Sequence, residues 1–472
     1  MKVLLTGATG YIAQRLLPVL LEQGHQVICL VRDSARFNPT KFGENAAITV
    51  LQADMMGRES LEKVPKDIDV AYYLVHSMSA AGKFSDTEQT SARNFSWAID
   101  QTGARQIIFL SGIVNSKALS KHLASRRQVE QTLAGGKIPL TTLRAGIIVG
   151  SGSASFEIIR DLVEKLPVMV APKWLYTKCQ PVAIRNVVEF LSGVLLQPFS
   201  YGKHYDIYGP DILSYKQMLL RFAEARGLKR HIFTVPIMTP RLSSYWLYFV
   251  TSTSYTLAKN LVESMRVDVV AEPNDLAERL DIQLISYGKA IALAFDKIEQ
   301  NMVLSSWYDS VGGFYSRDLA EKQLKVPVHG VFTDKKKRNT KDTATAAARI
   351  FAIGGKSGWY YANWLWGFRG FIDKLFGGVG LQRGRKNPQE LNTGESVDFW
   401  RVIYSNREQK RLLLYAEMKL PGEAWLEFKI VDDQVYQTAT FRPLGLGGRL
   451  YWYAVLPFHY FIFNGMINKI AG

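Results

Sequence analysis

The chain has 472 residues, which is long for a single hydrophobic core and predicts two or three domains. Hydrophobic residues make up 47% of it and charged residues 21%, a globular composition that excludes a disordered or fibrous architecture for most of the chain. Lys and Arg outnumber Asp and Glu by 58 to 42, and this excess favours an anionic partner: a phosphorylated cofactor, an acidic lipid surface or nucleic acid. With only two cysteines, a disulfide-stapled secreted scaffold is not expected.

The first 150 residues alternate short apolar runs with amphipathic stretches. This alternation predicts parallel βαβ units and a doubly wound α/β fold. The predicted strands are 3–5, 26–31, 47–51, 70–75, 106–110 and 140–143, and the predicted helices are 12–23, 87–101 and 120–133.

Beyond residue 150 the alternation fades, and we interpret about 150–330 as a substrate-side subdomain of the same domain, which spans 1–330. The charged run within 331–345 predicts a linker, and 346–472 form a second domain. In that domain the predicted strands are 397–404, 411–418, 424–431 and 434–441, and the predicted helix is 453–470. This order predicts a curved antiparallel sheet around one long α-helix.

Residues 450–468 carry no Lys, Arg, Asp or Glu, yet Pro457 and His459 make them poor material for a membrane span. We therefore predict a helix buried in protein. The amino terminus passes straight into a strand, so no signal peptide is expected and the predicted location is cytoplasmic.

A glycine turn joins the first predicted strand to the first predicted helix, in the run Thr6-Gly7-Ala8-Thr9-Gly10-Tyr11-Ile12. Gly7 suits a tight turn, and Gly10 lets backbone approach a pyrophosphate closely. The amides of the helix amino terminus then face the phosphates, and the helix dipole favours their charge. The pattern predicts a dinucleotide site formed by Thr6, Gly7, Thr9, Gly10, Tyr11 and Ile12.

The end of the second strand indicates which dinucleotide is bound. An NAD site places a carboxylate here, whereas Arg32, with Arg36 one turn on, offers guanidinium donors to a 2′-phosphate. We predict NADP(H) in preference to NAD(H), although Asp33 could serve an NAD site.

Further residues follow the third and fourth strands. Asp54 either accepts a hydrogen bond from the adenine amine or caps a helix. Leu74, Val75 and His76 end the fourth strand, where ligands sit in open α/β sheets.

With Phe109-Leu110-Ser111-Gly112 and Leu143-Arg144-Ala145-Gly146, these motifs resemble the atypical branch of the short-chain dehydrogenase/reductase superfamily, which includes complex I accessory-subunit-like and NAD(P)H-binding epimerase-like proteins. The resemblance implies a catalytic Ser, then Tyr-x-x-x-Lys on one helix. Ser111 is at the serine position, but His122 stands where Tyr belongs and Arg126 where Lys belongs. Arg126 would keep the electrostatic role and hold the cofactor ribose, and His122 is suited to general acid work.

Two functions follow from this departure. In the first, the chain is an NADP-dependent oxidoreductase that reduces a hydrophobic carbonyl or quinone-like substrate through Ser111, His122 and Arg126. In the second, it is a catalytically silent dinucleotide-binding protein that acts as a redox sensor, an assembly factor or a lipid-binding factor.

The second domain resembles the uncharacterised domain that follows such reductase-like domains in bacterial proteins, and its order of elements is similar to the helix-grip folds of the START and polyketide-cyclase type. The resemblance implies a small hydrophobic ligand between sheet and helix. Residues 331–472 hold 21 Lys and Arg against 12 Asp and Glu, so peripheral contact with an anionic inner membrane is also expected. Neither a nucleic-acid partner nor a metal site is predicted, because no aromatic platform accompanies the basic run and no ligand cluster occurs.

Overall fold

The computed structural model describes residues 1–34, 37–43, 46–75, 84–114, 121–235, 247, 259, 262–263, 265, 267–299, 326–327, 330–355, 357–381 and 390–472. These residues form two compact units. Unit 1 contains the described residues up to 299, and unit 2 contains those from 326 onward.

Unit 1 is built on a parallel sheet of seven strands in the order β11-β6-β5-β4-β1-β2-β3. Short strand pairs outside it belong to the substrate-side part. In chain order the strands are β1 (Lys2–Thr6), β2 (Gln26–Val31), β3 (Ile48–Gln52), β4 (Val70–Tyr73), β5 (Gln106–Gly112), β6 (Leu140–Ala145), β7 (Ile148–Val149), β8 (Val168–Pro172), β9 (Lys178–Cys179), β10 (Val182–Ala183), β11 (His204–Ile207), β12 (Leu213–Ser214) and β13 (His231–Val235).

Helices cover both faces of this sheet, because the central strands are apolar on both sides and must be buried twice. The helices are α1 (Ala13–Glu22), α2 (Arg58–Leu61), α3 (Phe84–Ile99), α4 (Lys121–Ala134), α5 (Ala154–Lys165), α6 (Ile184–Gly193), α7 (Tyr215–Ala225), α8 (Leu276–Arg279) and α9 (Tyr287–Glu299). Short 3-10 helices lie at Pro39–Phe42, Lys173–Tyr176 and Pro198–Ser200. On α1, Leu16, Leu17 and Leu20 form the stripe that packs on the sheet. The predicted doubly wound parallel sheet is thus confirmed.

Unit 2 contains an antiparallel sheet of six strands in the order β14-β19-β18-β17-β16-β15. Its strands are β14 (Phe332–Asn339), β15 (Ser396–Val397), β16 (Trp400–Asn406), β17 (Arg411–Ala416), β18 (Gly422–Val431) and β19 (Gln434–Pro443). Its helices are α10 (Thr343–Phe351), α11 (Asn363–Leu375) and α12 (Gly445–Ala471). Trp452 of α12 stacks on Phe332 and Phe441, which fixes the helix on β14 and β19.

The predicted linker at 331–345 is wrong, because this stretch forms edge strand β14 and the start of α10. Alternate side chains of β14 are half-buried: Lys336 pairs with Asp334 at 2.8 Å, and Arg338 donates to Asn464 at 3.1 Å. The strand was hidden from sequence reading because both of its faces are polar, as is common for edge strands.

The prediction that residues 450–468 are buried in protein is wrong for much of 450–461, where Leu450, Tyr453 and Tyr460 are exposed. Burial is confirmed toward the end of the helix, at Phe463, Met466 and Ile467. Among the described residues, no helix is both long and apolar enough to cross a bilayer.

Candidate functional site

The candidate site lies at the carboxyl ends of β1 and β4, which are neighbours in the sheet. The chain runs from β1 outward through β2 and β3 on one side and through β4, β5 and β6 on the other. The order of strands therefore reverses between β1 and β4, and a crevice opens at such a switch point in open α/β sheets.

Glycine is required at two places in the turn after β1. Gly7 has φ +66°, and a Cβ atom there would lie 2.8 Å from the carbonyl oxygen of Leu74. A Cβ on Gly10 would lie 2.9 Å from the carbonyl oxygen of Gly7, which accepts the Gly10 N–H at 2.7 Å. The turn therefore presses backbone against the end of β4, and a side chain at either position would fill the cradle.

Helix α1 begins directly after this turn. Ile12 occupies the N-cap position without a side-chain capping bond, and the first turn holds no acidic residue. A helix start of this kind keeps its positive dipole end available for an anion. Glycine cradle and helix start together fit a dinucleotide pyrophosphate, with Thr9 in the connecting turn.

The side chains of Thr6 and Tyr11 have structural partners instead of facing the crevice. Thr6 Oγ1 donates to Tyr72 O at 2.8 Å and accepts from Leu74 N at 3.2 Å, so it ties β1 to β4. The Tyr11 hydroxyl is buried against Gly150, and burial raises the pKa of Tyr11 to about 12. These two residues can therefore serve a cofactor only through their backbone.

Sequence reasoning missed Arg15 and Gly150, which hold this arrangement. The Arg15 guanidinium lies 3.9 Å from the Tyr11 ring centroid and donates to Ser151 O at 2.6 Å. A Cβ on Gly150 would lie 2.6 Å from the Tyr11 hydroxyl. Gly150 ends the strand-like run Ile147-Ile148-Val149, and a glycine in that place is the signal that could have marked a close approach.

Arg32 is exposed directly after β2, which is the strand next to β1. Its position at the same sheet edge as the glycine turn is the one predicted for a residue near the adenosine ribose. Asp33 follows it, and Arg36 lies outside the described residues.

Asp54 lies on the loop after β3 and does not cap α2, whose N-cap residue is Gly57. Its Oδ1 accepts the Met56 N–H at 3.0 Å, which closes a local turn. Leu74 and Val75 stand beside the glycine cradle as predicted from their place after β4, and His76 lies outside the described residues.

Ser111 and the Arg126 guanidinium both lie at the carboxyl end of β5. Ser111 Oγ is buried and has no hydrogen-bond partner among the described residues. Arg126 donates to Leu110 O at 2.5 Å and to Val75 O at 3.1 Å, so its guanidinium joins the ends of β4 and β5. The unpartnered Ser111 hydroxyl thus belongs to the residue that follows Leu110, whose carbonyl oxygen accepts from Arg126. Both groups lie at the same sheet edge as the glycine cradle.

The Arg126 guanidinium is buried, which sequence spacing alone did not predict. It lies 3.8 Å from Glu88 Oε1 and 4.6 Å from the Phe109 ring centroid. Burial lowers the pKa of Arg126, and Glu88 opposes that shift. Ser125 donates to the other Glu88 oxygen at 2.7 Å. His122 lies on α4 four residues before Arg126, and its side chain is outside the described residues.

Several large apolar residues of the substrate-side part belong to its hydrophobic core. Phe156, Ile159, Leu162 and Leu175 are buried in it, and Trp174 packs against it. These residues stabilise the subdomain, so residues that contact a substrate must be sought elsewhere.

Two family models match the chain. Residues 7–160 match the NAD(P)H-binding family, and residues 329–466 match a protein family of unknown function, DUF2867. The first match covers the glycine cradle, Arg32, Ser111 and Arg126.

Several curated relatives carry reductase in their names. Isoflavone reductase homolog P3 of Arabidopsis thaliana is 26% identical over 163 residues, which are 32% of this chain and 49% of that protein. Ceramide reductase of Caulobacter vibrioides is 26% identical over 35% of this chain and 52% of its own length. Phenylcoumaran benzylic ether reductase TP7 of Nicotiana tabacum is 36% identical over 15% and 24%. The chain thus spans about half or less of the length of these relatives.

Solved structures share the fold. A nucleoside-diphosphate-sugar epimerase from Staphylococcus aureus superposes with a TM-score of 0.50 at 16% identity, over 62% of this chain and 99% of that one. An epimerase from Methanothermobacter thermautotrophicus gives 0.50 at 12% identity, over 64% and 92%. These structures show the Rossmann fold of unit 1, and the family models match an NAD(P)H-binding domain over residues 7–160 and a DUF2867 domain over residues 329–466.

Proposed function

We propose that the chain is an NADP(H)-dependent reductase of a hydrophobic carbonyl or quinone-like compound. The observation that carries this proposal is the juxtaposition, at one sheet edge, of the glycine cradle at Gly7 with the buried pair Ser111 and Arg126. The relatives named as reductases of isoflavone, phenylcoumaran benzylic ether and ceramide support an apolar substrate.

Each residue has a part in this proposal. The cradle and the start of α1 hold the pyrophosphate, and Arg32 offers a fork of donors to a 2′-phosphate. The cofactor, when bound, supplies a hydride. Ser111 donates a hydrogen bond to the substrate oxygen, and His122 is the proton donor. The fixed charge of Arg126 at the strand ends favours the negative charge that develops on that oxygen.

The cofactor part is tested by calorimetric titration of the full chain with NADPH and NADH. Arg32→Ala should weaken NADPH binding by about tenfold and NADH binding little, because a charge-assisted contact to phosphate contributes roughly 1.5 kcal/mol. Arg105→Ala is the matched control, since Arg105 is an exposed arginine at the opposite, amino end of β5. Tighter binding of NADH than of NADPH by the unmodified protein would overturn the choice of cofactor.

The catalytic part is tested by following the absorbance of NADPH with aldehydes, ketones and quinones that carry apolar tails. Ser111→Ala and His122→Ala should each lower turnover by about 100-fold or more, with NADPH affinity unchanged. If no substrate class oxidises NADPH while NADPH still binds, the alternative is supported: a catalytically silent dinucleotide-binding protein that acts as a redox sensor, assembly factor or ligand-binding factor.

A second proposed role concerns unit 2, which we infer binds an apolar ligand between sheet and α12 in the manner of helix-grip folds. Its support is Gln437, which points to the core side of β19 between Val435 and Ala439 and is fully buried. Neither amide atom of Gln437 has a partner among the described residues, and such a group needs one. Solvent extraction of the purified protein, followed by mass spectrometry, should release a small molecule with a polar group and an apolar body. Its loss from Gln437→Leu would support the site; its persistence there would contradict it.

A further inference from the structure

Unit 2 carries an unusually large apolar surface on two neighbouring helices. On α11, Trp364, Phe368 and Phe371 are exposed, and on α12, Leu446, Leu450 and Tyr453 are exposed. Each set follows the spacing i, i+4, i+7, which places its members on one side of its helix. We call these six side chains the aromatic face.

The two helices approach each other where the Arg369 guanidinium of α11 lies 5.3 Å from the Tyr451 ring of α12. Two residues before α11 begins, the Tyr361 ring lies 5.1 Å from the ring of Phe461 on α12, so the segment that leads into α11 also packs against α12. Trp364 is 72% exposed and Leu446 74% exposed. Monomeric soluble proteins seldom expose so many large apolar side chains in one region.

The exposed charged side chains that α11 and α12 themselves carry have one sign. Helices α11 and α12 carry Arg369, Lys374, Arg449 and Lys469, and one acid, Asp373. Asp373 is buried and accepts the N–H groups of Gly380 at 2.8 Å and Lys419 at 2.6 Å, so its charge is compensated inside the unit. The exposed side chains of both helices therefore include cations and no carboxylate.

We propose that the aromatic face docks unit 2 on an anionic lipid surface, with the two helices lying in the plane of the interface. Trp and Tyr favour the level of the headgroups, Leu and Phe enter the acyl boundary, and basic residues meet anionic lipid. The excess of nine basic residues in 331–472 adds long-range attraction. Charge complementarity favours a lipid surface over a second copy of the chain, because two copies would bring cations against cations.

The test is co-sedimentation of the full chain with vesicles of phosphatidylglycerol and phosphatidylcholine, compared with phosphatidylcholine alone. The protein should be retained on the anionic vesicles, and retention should fall when salt shortens the Debye length. Trp364→Ser/Phe368→Ser should lower the partition coefficient by about tenfold or more, since two apolar anchors are lost. Arg449→Glu should weaken binding to anionic vesicles by about tenfold and leave binding to neutral vesicles unchanged.

The matched control is Tyr176→Ser/Phe233→Ser, which removes two comparably exposed aromatic side chains from unit 1. Its partition coefficient should stay within about twofold of the unmodified value, and near-UV circular dichroism of both double variants should match that of the unmodified protein, which shows that both units are folded. Equal loss in the two double variants, or no retention on any vesicle, would overturn the proposal. So would a dimer in light scattering that Trp364→Ser/Phe368→Ser dissociates, because a second copy would then cover the aromatic face.

Discussion

The two units differ in the partners of their buried polar groups and in the packing of their aromatic side chains. In unit 1 the aromatic rings of Tyr73, Phe95 and Phe109 pack together inside, and the buried charges Glu88 and Arg126 face one another. In unit 2 the buried amide of Gln437 has no partner among the described residues, while Trp364 and its neighbours face solvent.

This difference separates a crevice whose backbone is fixed by buried contacts from a unit whose helices expose apolar side chains. The crevice of unit 1 is lined by backbone, and the buried side chains of Thr6 and Arg126 hold that backbone in place by hydrogen bonds. The class of its ligand can therefore be inferred from geometry. Among the described residues of unit 2, neither the Gln437 amide nor the aromatic face has a complement, so the function of this unit must be sought in what would supply them. The contrast predicts that the crevice of unit 1 depends on contacts within that unit, whereas unit 2 depends on its surroundings.

The largest effect is expected at the buried ion pair of unit 1. Arg126→Met should destabilise the protein by about 3–5 kcal/mol, because it leaves the Glu88 carboxylate buried without its cation. Arg105→Met is the control: its pair with Asp69 at 3.4 Å is exposed, and its loss should cost less than about 1 kcal/mol. Urea unfolding measures both. Similar losses of unfolding free energy in the two variants would contradict the idea that burial makes the Arg126–Glu88 pair costly to break.

Gly7→Ala comes next. A Cβ at 2.8 Å from Leu74 O must push β4 and the glycine turn apart, so NADPH affinity should fall by about 100-fold, equal to about 2.8 kcal/mol. Gly24 also has a positive φ, +77°, but nothing within 4 Å of an added Cβ. Gly24→Ala should therefore lower stability by about 1–2 kcal/mol and leave NADPH affinity unchanged in calorimetry. Equal affinities for the two variants would show that the cradle is not the pyrophosphate site.

The sequence predicted most of unit 1, because strand, glycine turn and helix each leave a local signal. It placed Gly7 and Gly10 in a tight turn, which backbone sterics explain, and Leu16 on the packed face of α1, which the apolar periodicity of the helix explains. It did not predict the burial of Arg126, since that depends on Glu88 from another helix. Such contacts between distant segments have no periodicity to detect.

In unit 2 the same reasoning failed where polarity hid the pattern. Strand β14 alternates half-buried and exposed positions, but Asp334, Lys336 and Arg338 fill the half-buried ones, so the run looked like a linker. The error at helix α12 is the opposite one. Its apolar sequence predicts a buried helix, whereas Leu450 and Tyr453 are exposed. Hydropathy reports the preference of a side chain, whereas burial depends on what the fold places over it.

A smaller, pH-dependent effect is expected from unit 2. Burial lowers the pKa of His459 to about 4, with Arg369 acting in the same direction and Asp334 opposing. Because this lies below the value near 6.5 of an unfolded histidine, the neutral imidazole's contribution is complete above about pH 6.5 and is lost as the pH falls toward 4. The loss should be about 1–2 kcal/mol, given the partial exposure of the residue. His459→Phe should abolish this part of the pH dependence in urea titrations; parallel curves for the two proteins would contradict the assignment.

The smallest effect distinguishes the two faces of β14. Lys336 Nζ lies 2.8 Å from Asp334 Oδ1 and 4.8 Å from the Tyr460 ring, and its side chain is largely covered, whereas Lys335 is exposed. Lys336→Gln should therefore lower the free energy of unfolding by about 1 kcal/mol, and Lys335→Gln by less than about 0.5 kcal/mol. Thermal unfolding of the two variants measures the difference. Equal values would mean that the half-buried face of the edge strand is no better packed than its solvent face, and unit 2 would then depend on its core aromatic residues alone for the attachment of α12.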